Sequence, residues 1–567
     1  MITDLKDIIS EAIDDLYNSH AEIQKIQVEI NRTSDSVHGD FYCNIAMKLA
    51  KILKQNPMSI ADEIVNNIEK SDKILKIESA APGYINFFIT AHNKLQKIKF
   101  IIENDDIFET EEKLKKKVHV EYVSANPTGP LHIGHGRGMI LGDVTARFLD
   151  YQGYKVNREY YVNDAGRQID LLLVSTLLRY INKPDHIFVD ERENTDGHLL
   201  IYKGKYIDKI ASSLGGSLAQ FDKTVVEDLI QDPIDTLITY LKNHSDYKLV
   251  RKALIDIVIN DYIKIDLNAV DIEFDSWFYE SELYETGLLK EVLLNIEAKG
   301  LSYESEGALW FRNSKFGEEK DRVLRKNNGD MTYFATDIAY HIHKFNNHDI
   351  LIDIWGADHH DYAIRLKTAL SALGYDVENR LQIHLVQFAN LIKAGQTISM
   401  STRSGEFLPI KDLIDDIGKD ATRFFYLTKK KDQHLEFDLD LASEKNKNNP
   451  IYYIQYAHAR INKILEDLDE DNILDENFES LKTKNEIEIL EIIDKYHETI
   501  KRAIKEIRPD IITNYLYKIS KVFHSYYAET KILTSKVQGE RITLIRCIDK
   551  IILNCMKILD IKPMDIM

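Results

Sequence analysis

Cysteine is scarce in this chain of 567 residues. The three cysteines, Cys43, Cys547 and Cys555, lie far apart or eight residues apart, and none belongs to a Cys-x-x-Cys pair. Thiolate zinc sites need closely spaced ligands, and a disulfide framework needs more cysteines than three. The sequence therefore predicts no zinc site and no disulfide network, and we expect the thiols to be buried as small apolar side chains.

Long apolar runs and a positive net charge are also missing. No stretch approaches the roughly twenty apolar residues that a transmembrane helix requires. The first residues, Met1 to Asp15, lack the basic-then-apolar pattern of a secretory signal. The formal net charge of −19 argues against a protein that coats DNA or RNA indiscriminately. These absences predict a cytoplasmic protein with no membrane or DNA partner.

The composition and length of the chain indicate a folded protein with several domains. Hydrophobic residues make up 44% and charged residues 29% of the chain, values typical of globular proteins. We predict an α+β domain over residues 1–105 and an α/β domain over 106–404, with a helical insertion at about 168–260. A connecting segment over 405–445, helical from Lys411 to Leu427, leads to an all-helical domain over 446–567.

A strand, a glycine loop and a helix open the second zone. Val118 to Val123 reads as a strand, Asn126 to Pro130 as a loop, and the sequence is helix-compatible from His132 onward. This order is typical of a nucleotide-binding α/β unit. Three further strands are predicted at Lys155–Val162, Ile350–Trp355 and Gln382–Val386. Their alternation with helices favours a Rossmann-like parallel sheet.

The first motif is His132-Ile133-Gly134-His135, at the start of the predicted helix. Backbone N–H groups and the helix dipole attract anions at such a position. Gly134 lets a ligand approach the backbone, and the two imidazoles can donate hydrogen bonds to phosphate oxygens. The motif predicts a phosphate site in which the histidines stabilise charge rather than act as general bases.

The run containing this motif, residues 124–138 (SANPTGPLHIGHGRG), resembles the ATP-binding signature of class I aminoacyl-tRNA synthetases in the form found in the arginyl family. The resemblance implies a ligase that forms arginyl-adenylate from arginine and ATP and then charges the terminal adenosine of tRNA(Arg). It implies that Mg²⁺ arrives with ATP. It also assigns ATP binding to these residues: His132, Gly134, His135, Gly356 and Asp358.

A second motif, residues 399–405 (Ser-Met-Ser-Thr-Arg-Ser-Gly), resembles the mobile loop of class I synthetases, which usually reads Lys-Met-Ser-Lys. The resemblance assigns Met400, Ser401 and Arg403 to ATP binding and catalysis. Serine and threonine occupy both lysine positions, so another cation has to oppose the triphosphate charge. Arg403 is the first candidate, followed by Lys393 and Arg137.

An arginine pocket needs carboxylates, because the guanidinium group is a planar cation with five donors. Tyr333, Asp337 and His341 would share one face of a helix, and the arginyl family uses a tyrosine and an aspartate at this spacing. The resemblance implies a second acid at Glu280, with Glu282 as the neighbouring alternative. It also places these residues near arginine: Glu121, Ser124, Asn126, His135 and His359.

The C-terminal zone carries a local basic excess. Residues 495–567 contain 14 Lys and Arg against 8 Asp and Glu, which is typical of a surface that binds RNA. This zone resembles the helical anticodon-binding domain of arginyl enzymes, and the N-terminal zone resembles their tRNA-contacting domain. The family expectation is a monomer.

Two alternatives stay open. Another class I synthetase is one, although a cysteinyl enzyme would need zinc ligands that three scattered cysteines do not supply. A non-catalytic RNA-binding paralogue is the other, and the missing loop lysines favour it. Intact residues at His132, His135, Asn126, Tyr333 and Asp337 favour an enzyme.

Overall fold

The computed structural model describes residues 2–18, 22–23, 26–33, 36–69, 74–104, 115–183, 201–398, 408–466, 468, 480–533 and 537–566. The chain divides into two units by its internal contacts. The first contains residues 1–107, 460–496 and 522–551, and the second contains residues 108–459, 497–521 and 552–567.

The first unit begins with short strands between amphipathic helices. Its N-terminal elements are α1 (Ile2–Tyr17), β1 (Ile30–Arg32), β2 (Phe41–Cys43), α2 (Ile45–Leu53), α3 (Pro57–Asn67), β3 (Ile74–Ala80), β4 (Tyr84–Ile89) and α4 (Ala91–Glu103). The strands form an antiparallel sheet in the order β1-β2-β4-β3. Helices α1 to α3 contribute Leu5, Leu49 and Ile60 to a core shared with Phe41 and Phe87. The α+β prediction for this zone is confirmed.

The second unit is built around parallel strands and the helices that connect them. From its start to residue 268 its elements, including the helical insertion, are β5 (Lys117–Glu121), α5 (Ile133–Tyr151), β6 (Lys155–Val162), α6 (Arg167–Tyr180), α7 (Tyr206–Leu218), α8 (Lys223–Leu229), α9 (Ile234–Asn243), α10 (Tyr247–Val258) and α11 (Lys264–Asn268). The helical character predicted for residues 168–260 is therefore present in the described parts of that stretch. A π-helical turn, Ile259–Ile263, joins α10 to α11.

The remaining elements up to residue 404 complete the parallel sheet and contribute strands to two smaller sheets. They are β7 (Ser276–Tyr279), α12 (Glu280–Glu285), α13 (Leu288–Ala298), β8 (Ser302–Ser305), β9 (Ala308–Phe311), β10 (Arg322–Arg325), α14 (Tyr333–Asn347), β11 (Ile350–Gly356), α15 (His360–Ala372), α16 (Val377–Arg380), β12 (Leu381–Val386), β13 (Ala389–Lys393) and β14 (Gln396–Thr397).

The central sheet has the order β12-β11-β5-β6-β7, and every neighbouring pair in it is parallel. The prediction of a parallel α/β sheet is confirmed, and the strand predicted at Lys155–Val162 matches β6 at both ends. Smaller sheets have the orders β10-β9-β8 and β14-β13-β15, the last strand being β15 (Leu435–Asp438).

The connecting segment departs from its prediction at one residue. The stretch from Lys411 to Leu427, predicted as one helical run, forms two helices, α17 (Ile410–Ile417) and α18 (Lys419–Tyr426). Gly418 separates them with φ of 84°, a backbone conformation that interrupts an α-helix and that glycine adopts without steric cost.

Helices make up the rest of the described chain. They are α19 (Leu439–Ser443), α20 (Pro450–Glu466), α21 (Lys484–Asp494), α22 (Tyr496–Lys505), α23 (Pro509–Glu529) and α24 (Gln538–Leu559). Within the described residues after 450 there is no strand, as predicted. No helix in the described part of the chain has both the length and the apolar character needed to cross a membrane.

Candidate functional site

The strand order creates a crevice at the carboxyl end of the sheet. Strand β5 lies between β6, the next strand in sequence, and β11, which follows much later. The connections after β5 and β11 therefore leave in different directions, and ligands of open α/β sheets bind at such a switch point. The first motif lies at the start of α5, and two further residues predicted to bind ATP, Gly356 and Asp358, lie at the end of β11 and in the turn after it.

Both motif histidines serve as caps at the start of α5. The Nδ1 atom of His132 accepts a hydrogen bond from the backbone N–H of Gly134 at 3.1 Å, and Nδ1 of His135 accepts from the backbone N–H of His132 at 3.2 Å. The ring centroids lie 3.9 Å apart. Since each Nδ1 is an acceptor, a neutral ring in either position carries its proton on Nε2.

The surroundings keep both rings neutral. Burial lowers the pKa of His132, and burial together with the charge of His132 lowers the pKa of His135 to about 3. Near neutral pH each imidazole is therefore an uncharged donor through Nε2–H. Such a pair can bind phosphate oxygens, but it supplies no full positive charge.

Two cavities share His135. The smaller, about 100 Å³, is lined by Val123, Gly134, His135, Trp355, Gly356 and Phe388, among others. At Gly356 a Cβ atom would lie 2.4 Å from the Asp358 carboxylate and 3.4 Å from the Phe388 ring. A side chain at this position would therefore fill the cavity, which is the physical reason for a glycine there.

The larger cavity, about 290 Å³, is polar and receives side chains from the helical insertion. Its lining includes Asn126, Thr128, His132, His135, Gln168, Tyr202 and Tyr206. The Asn126 amide donates to Gln168 at 2.8 Å, and the Tyr206 hydroxyl donates to the Thr128 carbonyl at 2.9 Å. No Lys, Arg, Asp or Glu lines it within the described chain.

The backbone just before the histidines pairs with the segment that follows the second motif. The Ile410 N–H donates to the Leu131 carbonyl at 2.9 Å, and the Ile133 N–H donates to the Leu408 carbonyl at 3.3 Å. A bridge between His132 and Pro409 lies between these bonds. Met400, Ser401 and Arg403 themselves lie outside the described residues, so the structure describes only the chain that follows them.

Two acids meet where α14 faces α12. Asp337, one turn into α14, accepts a hydrogen bond from the Tyr362 hydroxyl. Glu280, the first residue of α12, is only 4% exposed, and its Oε2 atom has no hydrogen-bond partner within the described residues. The Tyr161 ring is buried beside them, close enough that both carboxylates act on the pKa of its phenol. A buried carboxylate with an unmet acceptor is suited to a cationic ligand.

The pKa of each acid reflects this arrangement. Burial, followed by the charges of Asp337 and Asp164, raises the pKa of Glu280 to about 7. Burial also raises the pKa of Asp337 above the ordinary aspartate value, although the hydrogen bond from Tyr362 opposes that effect. The charge of Asp337 disfavours ionisation of Glu280, and a bound cation would stabilise both carboxylates.

The structure separates Glu280 from the alternative acid. The Glu282 carboxylate accepts a hydrogen bond from the backbone N–H of Tyr279 at 3.2 Å and so caps the N-terminus of α12. It is therefore engaged with its own helix, whereas Glu280 faces Asp337.

Glu121 is held in a buried ion network. Lys344 is fully buried, its Nζ atom contacts the Glu121 carboxylate, and it lies 2.8 Å from an Asp353 oxygen. His341 joins Asp353 to α14, with Nε2 2.9 Å from Asp353 and Nδ1 2.8 Å from the Asp337 carbonyl. The Glu121 carboxylate is thus paired with Lys344, and its charge also contributes to the raised pKa of Asp337.

The loop that carries Ser124 has a strained backbone. Val123 and Ser124 adopt φ of 66° and 40°, which is uncommon for residues other than glycine and is often found at functional sites. The Ser124 hydroxyl accepts a hydrogen bond from the backbone N–H of Tyr161 at 3.1 Å and so ties this loop to β6.

Three other predicted residues lie at the surface. The Tyr333 side chain is 56% exposed at the first position of α14. Asp358 and His359 lie in the turn after β11, with 61% and 55% of their side chains exposed. A Cβ atom on Gly166 would lie 3.1 Å from the Tyr333 hydroxyl, so this phenol points toward the loop after β6.

Comparisons with known proteins cover almost the whole chain. Residues 97–467 match the family model of the catalytic domain of arginyl class I tRNA synthetases. Residues 3–89 match the arginyl tRNA synthetase N-terminal domain, and residues 454–567 match the DALR anticodon-binding domain. The chain is 40% identical to the arginine–tRNA ligase of Hydrogenovibrio crunogenus over 98% of both chains. This chain belongs to the arginyl-tRNA synthetases of class I.

Two further proteins similar to this chain are also arginyl-tRNA synthetases. The arginine–tRNA ligase of Nitrosospira multiformis is 39% identical over 94% of both chains. The solved structure of Thermus thermophilus arginyl-tRNA synthetase superimposes with a TM-score of 0.73 over the full length of both chains, at 20% identity. At that identity the superposition concerns the fold alone.

One of the cation candidates, Arg137, is held by backbone carbonyls in this synthetase. The Arg137 guanidinium is buried and donates to the main-chain carbonyls of four residues: Gln387 at 2.8 Å, Gln433 at 2.6 Å, Lys430 at 2.9 Å and Lys429 at 3.4 Å. Burial lowers its pKa to about 10, so it stays charged. Its Nη1 and Nη2 atoms are engaged with the backbone, which argues against Arg137 as the cation that opposes the ATP phosphates.

We expect Arg137→Met to lower the free energy of unfolding by about 3 kcal/mol, because the charged hydrogen bonds to four carbonyls are lost together. Chemical denaturation would measure the change. Arg502→Met, at an exposed arginine of α22, is the matched control and should change stability by less than about 0.5 kcal/mol. Equal effects of the two substitutions would contradict the structural role of Arg137.

Sequence reasoning missed two phenols of the pocket. Tyr161 lies near the carboxyl end of β6, and Tyr362 lies in the first turn of α15. Neither residue was assigned a role from the sequence. Position at the carboxyl end of a parallel strand was the available signal for Tyr161. Only the packing of α15 against α14 brings Tyr362 to Asp337.

Proposed function

We propose that this chain activates L-arginine with ATP and transfers the arginyl group to the 3′-terminal adenosine of tRNA(Arg). The observation that supports it best is the pair of buried carboxylates, Glu280 and Asp337, in the same α/β unit as the neutral histidine pair of α5. The acids suit a guanidinium group and the histidines suit phosphate oxygens.

In the first step the arginine carboxylate attacks the α-phosphorus of ATP. One P–O bond forms and the bond to the β-phosphate breaks, so arginyl-adenylate and pyrophosphate are produced without a covalent enzyme intermediate. The chain contributes positioning and charge stabilisation. His132 and His135 would donate through Nε2 to oxygens of the reacting phosphate, and ATP would bring Mg²⁺ as counter-ion.

Arginine would be held at both ends. Asp337 and Glu280 would pair with the guanidinium group, with the Tyr333 phenol at the mouth of the pocket. Ser124 and Asn126 would orient the amino and carboxylate groups, and His359 would lie close to the same ligand. Glu121 would act on the pocket through Lys344, since that lysine already binds its carboxylate.

The phosphate charge still needs a cation. Neither histidine supplies one, and the donors of Arg137 are occupied. Arg403 of the second motif remains the first candidate, together with Met400 and Ser401. Lys393 is the alternative, because it is exposed at the end of β13, a few residues before that motif.

The macromolecular partner we propose is tRNA(Arg), bound through the helical C-terminal region and the N-terminal domain. We propose that the synthetase acts as a monomer in the cytoplasm.

Arginine-dependent exchange of pyrophosphate into ATP, measured with and without tRNA(Arg), tests the reaction. We expect exchange with arginine and not with other amino acids. Exchange with another amino acid would sink the arginine assignment. Binding of tRNA with no exchange in either condition would favour a non-catalytic paralogue.

Arginine binding should depend on pH through Glu280. Since burial and the charges of Asp337 and Asp164 raise the pKa of Glu280 to about 7, and arginine would stabilise the ionised form, binding below that pH has to release a proton. The KM for arginine should therefore fall by several-fold to about tenfold between roughly pH 6 and pH 7 and level off above. Exchange kinetics across this range would measure it. In Glu280→Gln the slope should disappear, and a slope that persists would show that another group titrates.

A further inference from the structure

A buried acid outside both motifs contacts the backbone that leads into the first one. Asp266 is 3% exposed and lies in the short helix α11, at the end of the helical insertion. Its Oδ2 atom accepts a hydrogen bond from the backbone N–H of Leu131 at 2.7 Å. Leu131 is the residue directly before His132, so this bond holds the Pro130–Leu131 peptide, which leads into the first motif histidine.

The same residue is held from its other side. The carbonyl of Leu131 accepts from the N–H of Ile410, at the start of α17. Both backbone groups of Leu131 are thus bonded, one to the insertion and one to the segment that follows the second motif. Leu131 itself is buried, so loss of either partner leaves an uncompensated polar group in the interior.

Other contacts fix the end of the insertion against the helices after the second motif. The Val270 carbonyl accepts from the Arg423 guanidinium at 3.0 Å, and the Asp271 carboxylate pairs with Lys419. Both cations belong to α18. The insertion, the first motif and the helices after the second motif therefore meet within a few residues of Asp266.

The local helix geometry is also unusual. The π-helical turn at Ile259–Ile263 ends directly before α11. A π turn contains one residue more than an α turn and so rotates the helix face that follows, and such turns are frequent at functional sites. Neighbouring Ile265 is 46% exposed while Asp266 is buried.

We infer that Asp266 is a positioning residue for adenylate formation, because it fixes the Leu131 backbone and thereby sets where His132 presents its donor to ATP. The inference rests on the proposed role of His132 in activation. An aspartate is suited to this position, since its Oδ2 atom accepts from the backbone N–H in either protonation state, and burial raises the pKa of Asp266 to about 7. Its effect is on geometry at the reacting phosphate rather than on arginine recognition.

Three variants of the full-length chain test the inference. Asp266→Ala removes the acceptor, Asp266→Asn retains an acceptor oxygen, and Asp261→Ala removes an exposed acid five residues earlier. In pyrophosphate exchange we expect Asp266→Ala to lower kcat by about tenfold or more, because small misplacements of catalytic groups are costly. Its KM for arginine should stay within about twofold, since Glu280 and Asp337 are untouched. Asp266→Asn should restore most of kcat, and Asp261→Ala should match the parent chain.

Several outcomes would overturn the inference. They are an unchanged kcat in Asp266→Ala, a KM for arginine that rises as much as kcat falls, or an Asp266→Asn variant as impaired as the alanine variant. A fall in kcat no larger than the loss of folded protein, measured by circular dichroism at the assay temperature, would show a purely structural role. Failure of the proposed function is distinguishable, because the unmodified chain would then show no exchange.

Discussion

Replacing Asp337 with asparagine should raise the KM for arginine by about 100-fold, because it removes one of the two carboxylates that would face the guanidinium group in a buried site. The shape of the side chain is retained, and the Tyr362 hydroxyl can still donate to the amide oxygen. The KM for ATP should stay within about twofold. Pyrophosphate exchange with each substrate varied in turn would separate the two constants.

Asp330→Asn is the matched control. Asp330 is an exposed acid in the turn before α14, and its replacement should leave both constants unchanged. If Asp337→Asn weakens arginine and ATP equally, Asp337 supports the fold of the unit rather than the specificity of the pocket.

Replacing His132 with asparagine should lower kcat for exchange roughly 100-fold, the size of effect that follows loss of one preorganised donor to a developing charge. Asparagine is a favourable N-cap, and its side-chain oxygen can replace Nδ1 as acceptor for the Gly134 N–H. The variant therefore removes the Nε2 donor while it keeps the helix start. We expect little change in the melting temperature.

The control for this substitution is His434→Asn, at an exposed histidine of the same unit. It should leave kcat unchanged. A His132→Asn variant with normal kcat would show that His132 is only a cap, and that the phosphate contacts come from other residues. A large fall in melting temperature would leave the structural role dominant.

The fold of this synthetase was largely readable from local patterns. Strand and helix periodicities predicted β6, β11 and β12 and the helical C-terminal zone, because each element carries its own alternation of apolar and polar residues. The interruption of the helix at Gly418 was not predicted. Apolar spacing continues on both sides of it, but its positive φ interrupts the helix, and periodicity alone does not report a backbone angle.

Some features of the candidate site could likewise be read from local sequence, and others could not. The sequence places Tyr333 and Asp337 on one helical face by their spacing, whereas their assignment to arginine rests on the resemblance to the arginyl family. Glu280 could not be separated from Glu282 in sequence, since both belong to one acidic run. In the fold, Glu282 caps the N-terminus of α12, whereas Glu280 is buried beside Asp337. Lys344 and Tyr362 reach the pocket region only through contacts between distant segments.

The sequence by itself determined the family, the order of the domains' elements and the two motifs, because these depend on residues close together along the chain. The tertiary structure decided which charges are available. Arg137 lies two residues after the first motif, yet its guanidinium donates hydrogen bonds to four carbonyls that are distant in sequence. Asp266 lies more than a hundred residues from that motif and bonds directly to Leu131, the residue before it. Burial and hydrogen bonding across distant segments set these roles, and neither is encoded in local spacing.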